Sequence, residues 1–248
     1  MIEVIGNMNK LLNILFFLSL SVLADNEIYV DQSGNAASID LEQLGSSNLI
    51  GGTDATSGNL TALDLDGSSM TLDINQIGTS NIFRSDAIDG DNFTGFFEFD
   101  GDSNIMDILM NSTGLISADF VNLNIDVTGG SNEFDLAIAE DDDASYLDLD
   151  WIILGDSNEL TFAIDYANAT SYVDINGSFN ELDFTGSGYG GTSSADSGYF
   201  YLDLDGSSND IDITQSSTLA RDYLKIITNT SNSNICIVQN DQGTSTGC

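Results

Sequence analysis

One short arc recurs along this chain and constrains the fold more than any other feature. A glycine is followed three residues later by asparagine at Gly45/Asn48, Gly78/Asn81, Gly101/Asn104, Gly129/Asn132, Gly155/Asn158, Gly177/Asn180 and Gly206/Asn209. An eighth arc, at Gly67, carries Met70 in the asparagine position. Self-similarity of this kind marks an internal-repeat architecture, in which each unit buries its apolar face against its neighbours.

Strict alternation flanks the arcs. Leu202, Leu204 and Gly206, then Asn209, Ile211, Ile213 and Gln215, fall on one parity; Asp203, Asp205, Asp210 and Asp212 fall on the other. Successive side chains of a strand point to opposite faces, so one face is apolar and the other carries carboxylates. Leu123 to Ile138 and Val173 to Phe184 obey the same rule, and the period of two argues against helix.

The arc-to-arc steps are 22, 11, 23, 28, 26, 22 and 29 residues. The step of 11 is half of 22, which places Gly67 on the arc opposite Gly45 and gives two strands per turn. The expected fold is all-β: a β-solenoid of about 8 irregular turns of 22–29 residues, with insertions at 85–92, 111–117, 140–144, 165–170, 186–198 and 216–222 read as loops. Residues 25–36 form an N-terminal cap segment, 37–215 the repeats, and 216–248 a degenerate last repeat with a C-terminal cap.

Composition supports this. The chain has no proline, where average usage gives about 12, and proline is excluded from central strands. It has 40 acidic residues against 4 basic ones, no histidine and a net charge of -36. That excludes nucleic acid and anionic membrane surfaces as partners, because both require a cationic face.

Residues 1–24 are expected to be a signal peptide, with Met8 as an alternative start, Lys10 before an apolar run, and cleavage after Ala24. Secretion makes a disulfide between Cys236 and Cys248 the favoured state of the two cysteines, against a reading of Cys236 as a small core residue.

The unit Leu72-x-Ile74-x-Gln76-x-Gly78-x-x-Asn81 resembles the curlin repeat of bacterial curli fibres, as does Ile39-x-Leu41-x-Gln43-x-Gly45-x-x-Asn48. The other copies keep Gly-x-x-Asn and replace the glutamine with Phe99, Val127, Ile153, Ile175 or Leu204. The resemblance implies a secreted bacterial protein at the cell surface or outside the cell. It further implies self-association into fibres, with outer-membrane secretion or nucleator proteins as partners. By analogy, an asparagine ladder should persist while the glutamine ladder gives way to an apolar column.

Three function classes follow. The first is a structural subunit of an extracellular fibre or biofilm matrix. The second is a monomeric acidic adhesin or calcium-dependent surface protein, with Tyr189, Tyr199 and Tyr201 as contact residues. For Ca²⁺ the candidate ligands are Asp89, Asp91, Asp100, Asp102, Asp141, Asp142 and Asp143, set against a merely solvated anionic face. The third, an enzyme, is disfavoured: carboxylates repeat uniformly and none is singled out for acid–base work, so no catalytic residue is assigned.

Overall fold

The computed structural model describes residues 27–51, 63–110, 120–138, 146–165, 169–187, 199–216 and 223–240. The expected leader and the candidates Asp141, Asp142 and Asp143 lie outside the described residues. In chain order the strands are β1 (Glu27–Ile28), β2 (Asp31–Ser33), β3 (Ser38–Leu44), β4 (Leu49–Ile50), β5 (Leu63–Asp66), β6 (Thr71–Ile77) and β7 (Ile82–Asp89). They continue with β8 (Thr94–Asp100), β9 (Ile105–Met110), β10 (Val121–Thr128), β11 (Glu133–Ile138), β12 (Leu147–Leu154) and β13 (Glu159–Asp165). The last are β14 (Ala169–Asn176), β15 (Glu181–Ser187), β16 (Tyr199–Ser207), β17 (Asp210–Ser216), β18 (Tyr223–Ser231) and β19 (Asn234–Asn240).

These strands form the expected β-solenoid with two strands per turn. An eight-stranded parallel sheet runs β3-β6-β8-β10-β12-β14-β16-β18, and an eleven-stranded one runs β1-β4-β7-β9-β11-β13-β15-β17-β19 with β2 and β5 beside it. Six rungs, from β6/β7 to β16/β17, carry two long strands, with β3/β4 and β18/β19 at the ends.

Gly67 does occupy the opposite arc: it stacks between Gly34 and Gly90, while Gly45, Gly78 and Gly101 stack on the other side. Met70, in the asparagine position of that arc, is buried as core.

Three expectations need correction. Equivalent residues of successive rungs are 33, 23, 28, 26, 22, 29 and 24 apart, so the first step exceeds the expected 22–29. There β4 and β5 are two halves of one level, separated by an insertion, and β7 pairs with both. Second, residues 85–89 are strand rather than loop. Ser85 is buried at a register shift, and its hydroxyl accepts from Leu109 N at 2.9 Å, so a polar residue sits inside β7 without an orphaned group. Third, the solenoid has about six full turns rather than the expected 8. β1 and β2 are the lower neighbours of β4 and β5, and β18 and β19 form the last parallel rung.

The core lies between the sheets as inward columns. One is Leu41–Ile74–Phe97–Ile125–Trp151–Val173–Leu202–Ile226. Aromatic rings cross from sheet to sheet: Phe134 meets Trp151 edge-on at 5.9 Å, Trp151 meets Phe162 at 6.1 Å, and Phe184 stacks on Phe200 at 4.1 Å. Where a ring fills the layer the neighbour is glycine: a Cβ at Gly95 would stand 2.6 Å from the Phe97 ring.

Trp151 is fully buried and its Nε1–H has no partner. Trp151→Ala should therefore lower stability by about 3–5 kcal/mol. Trp151→Phe should cost much less, because it removes the unpaired donor together with part of the ring. Urea midpoints of the two variants check this ordering.

Candidate functional site

The repeated arc is the most elaborate polar construction in the molecule. In Gly-x-Ser-Asn the glycine adopts φ 136° at Gly78, where a Cβ would lie 1.5 Å from Gly45 O, so only glycine admits the neighbouring rung. The third residue is left-handed at Ser47, Ser80, Ser103, Ser131, Ser157, Phe179 and Ser208, with φ near 60°. Such a conformation costs about 1–3 kcal/mol in a non-glycine residue, and the surrounding hydrogen bonds offset it.

The N–H groups of the arc that are bonded take partners of a consistent kind. The first and third donate to backbone carbonyls of the next rung, as Gly129 N to Leu154 O at 2.9 Å and Ser131 N to Asp156 O at 3.1 Å. At four arcs the second donates to a side chain of the preceding rung: Ser68 N to Asn35 Oδ1 at 2.9 Å, Gly130 N to Asp102 Oδ1 at 2.7 Å, Ser178 N to Asp156 Oδ1 at 2.5 Å and Ser207 N to Ser178 Oγ at 3.0 Å. The fourth donates to the asparagine amide of the next rung.

That last bond makes a buried ladder. Asn48, Asn81, Asn104, Asn132, Asn158, Asn180 and Asn209 are all 2 % exposed or less. The backbone N–H of each of the first six donates to Oδ1 of the next, at 2.8–3.2 Å. Asn158, Asn180 and Asn209 also donate Nδ2–H to the glycine carbonyls Gly129 O, Gly155 O and Gly177 O of the rung below. At the last rung, Ser233 Oγ accepts from Asn209 N at 3.1 Å in place of an asparagine, and Asn232 supplies the left-handed residue.

The inward glutamine column is one pair continued by apolar residues. Gln76 Nε2 donates to Gln43 Oε1 at 2.8 Å, and the column continues as Phe99, Val127, Ile153, Ile175 and Leu204. A second glutamine pair, absent from the sequence expectations, closes another inward column: Gln239 Nε2 donates to Gln215 Oε1 at 3.0 Å. Its signal was present in Gln215, which keeps the inward parity after Ile211 and Ile213.

Four calcium candidates, Asp89, Asp91, Asp100 and Asp102, lie within the described residues. Asp89 ends β7 and Asp91 lies in the arc beyond it; Asp100 ends β8 and Asp102 is engaged with Gly130 N. Among the described residues no group of three or more His, Cys, Asp or Glu side chains is placed to hold a metal ion. An open depression of about 310 Å³ on the eight-stranded sheet is lined by Glu98, Asp100, Asp126, Val127, Thr128, Ile152 and Leu154. No cationic side chain lines it.

The outward carboxylates are interleaved rather than stacked into unbroken columns on the eight-stranded sheet. Asp40 and Asp73 are followed by Phe96, Asn124, Asp150, Tyr172, Tyr201 and Lys225. Asn75 donates to Glu98 at 3.3 Å across one gap. The other sheet keeps a run of Glu133, Glu159, Glu181 and Asp210, ended by Asn234, whose amide donates to Asp210 Oδ1 at 2.8 Å.

Two of the expected contact tyrosines, Tyr199 and Tyr201, lie against other tyrosines of neighbouring rungs. Tyr172 and Tyr201 stack at 4.6 Å, Lys225 Nζ lies 4.7 Å from the Tyr201 ring centre, and Tyr199 lies beside Tyr223. Tyr189 lies outside the described residues. Cys236 is disulfide-bonded and sits in the outward column of Asp212, not in the core; Cys248 is outside the described residues.

No family model, curated protein or solved structure matches the chain.

Two predictions test this site. Asn158 makes four ladder contacts, whereas Asn104 Nδ2 has none. Asn158→Ala should cost about 2–4 kcal/mol, from orphaned groups at about 1–3 kcal/mol each, and Asn104→Ala distinctly less, as read by urea midpoints. The second concerns pH. Asp135, Asp150 and Asp174 have pKa values above the ordinary 3.8, through burial first and, for Asp150 and Asp174, through neighbouring aspartates. A raised folded-state pKa means that the fold holds the proton more tightly than the unfolded chain does. The stabilisation is complete below the ordinary carboxylate value and is lost as pH rises through the raised one. The melting temperature should therefore rise as pH falls from 7 towards 4; thermal scans at constant ionic strength check this.

Proposed function

We propose that this protein is a secreted structural subunit of a curli-like extracellular fibre or biofilm matrix, assembling by stacking of solenoid turns. The observation that carries the reading is the state of the two ends. Among the described residues no strand pairs beyond β18 or β19, nor beyond β1, β2 or β3. The inward residues there, Ile28, Val30, Ile39 and Leu41 at one end and Leu224, Ile226 and Ile235 at the other, are only partly buried, whereas the same columns are fully covered within the stack. An open strand edge is a template for another chain, and proteins that stay monomeric blunt it with charge or proline. The arcs, meanwhile, devote their polar groups to holding rungs together.

The interleaved acidic face keeps such a fibre hydrated. Stacking on Tyr172 and the contact with Lys225 occupy both faces of the Tyr201 ring, which favours the structural reading over the adhesin. Nucleator or secretion partners would meet the same open edges.

The purified protein should form unbranched fibres in electron micrographs, with a meridional diffraction spacing of about 4.8 Å, with or without added calcium. A folded monomer that persists at high concentration contradicts the proposal, and a strict calcium requirement for folding favours a calcium-dependent surface protein instead.

A further inference from the structure

The two ends differ in charge as well as in sequence. Residues 223–240, the whole of β18 and β19 with their arc, contain no aspartate or glutamate and one lysine, Lys225. The rung at the other end carries Glu27, Asp31, Asp40 and Glu42. Every rung between has carboxylates on its outward face, so the last rung departs from the rule of the chain at the place where a charged edge would block association.

The columns of the stack can be continued by one rung. Each column has a known residue at its lower end and another at its upper end. Ser38 begins the column that Tyr223 ends, so Lys225 ends the column that Asp40 begins. In the same register Leu224 follows onto Ile39 and Ile226 onto Leu41. In the other sheet the columns of Ile235 and Gln239 begin with Ile28 and Gln32. Apolar meets apolar, amide meets amide, and the lone cation meets a carboxylate. The reverse arrangements invert one copy and set its edge strands antiparallel, which breaks the column register, and two lower ends would also bring four carboxylates towards four.

We propose that a second copy of this chain docks head-to-tail on the β18/β19 edge with its β3 and β1–β2 strands, in the register that sets Lys225 beside Asp40 of that copy. The acid-free rung acts as a spacer, separating the carboxylates of β16 and β17 from those of the incoming copy. The contact is heterologous and does not close on itself, so it propagates. The side chain of Lys225, held over the Tyr201 ring, stays at the edge strand where the pair must form. This rests on the self-stacking reading above and adds polarity, register and the electrostatic device that selects them.

The test is charge reversal. Lys225→Asp, Asp40→Lys and the double variant are purified as full chains, shown folded by circular dichroism, and compared with wild type by the protein concentration left soluble at assembly equilibrium. Both positions face outward on end strands, away from the core. Each single reversal should raise that concentration by about tenfold or more, because like charges directly opposite destabilise pairing. The double reversal should restore it to within about threefold of wild type, and the effect of the single variants should shrink in high salt. If the protein assembles but the single reversals leave assembly unchanged, or the double fails to recover it, the proposed seam is wrong while the fibre reading stands. If wild type never assembles, both are wrong.

Discussion

The hydrogen bond from one asparagine backbone N–H to the amide oxygen of the next asparagine is the interaction on which this structure depends. A solenoid turn must reverse direction beside a close-packed core, and the reversal leaves backbone donors with no strand partner. Buried donors without partners are costly. Here the donor at Asn132 is answered by Asn158, that at Asn158 by Asn180, and the glycine carbonyls by the same amides. The fourth residue of the arc is therefore asparagine wherever both a donor and an acceptor are needed. It is Met70 on the opposite arc, where the position is core.

From this constraint the rest follows. Because the asparagine arcs are clamped to the rungs above and below, the strands beside them stay in register from rung to rung, with the shift around Ser85 in β7 as an interruption. Inward columns are then free to vary in size, provided volumes compensate, as Gly95 beside Phe97 and Gly186 beside Phe184 show. Outward columns vary in charge: Phe96 and Asn124 separate Asp73 from Asp150 on one sheet, whereas the other keeps the run Glu133, Glu159, Glu181 and Asp210. An acidic surface and a stack of parallel strands oppose each other electrostatically. The molecule reconciles them by interleaving on one sheet and by a final rung without carboxylates.

Much of this was legible in the chain because its signals are periodic. The parity either side of Gly206, the half-step at Gly67 and the replacement of Gln76 by Phe99 each state a position in the stack, and two strands per turn follows from them. What escaped was aperiodic. The first rung is longer than the others because an insertion splits β4 from β5, and no arc marks where the level resumes. Ser85 looked like loop because it is polar, yet a register shift gives its hydroxyl a partner inside β7. Asp102 looked like surface charge or a metal ligand, whereas it and Asp156 each accept from a backbone N–H one rung away, a relation visible only once the rungs are aligned. The last repeat looked degenerate because serine and Asn232 replace the glycine arc, although they perform its two tasks.

Amide hydrogen exchange on asparagine-labelled protein, read residue by residue, tests the ladder directly. Asn81, Asn104, Asn132, Asn158 and Asn180 lie outside the strands, so in ordinary turns their N–H groups would exchange quickly. If their bonds to the next rung hold the stack, these amides exchange as slowly as those of the central strands. Exchange at the rate of surface turns would show that the arcs merely connect strands held by apolar packing, and would contradict the account.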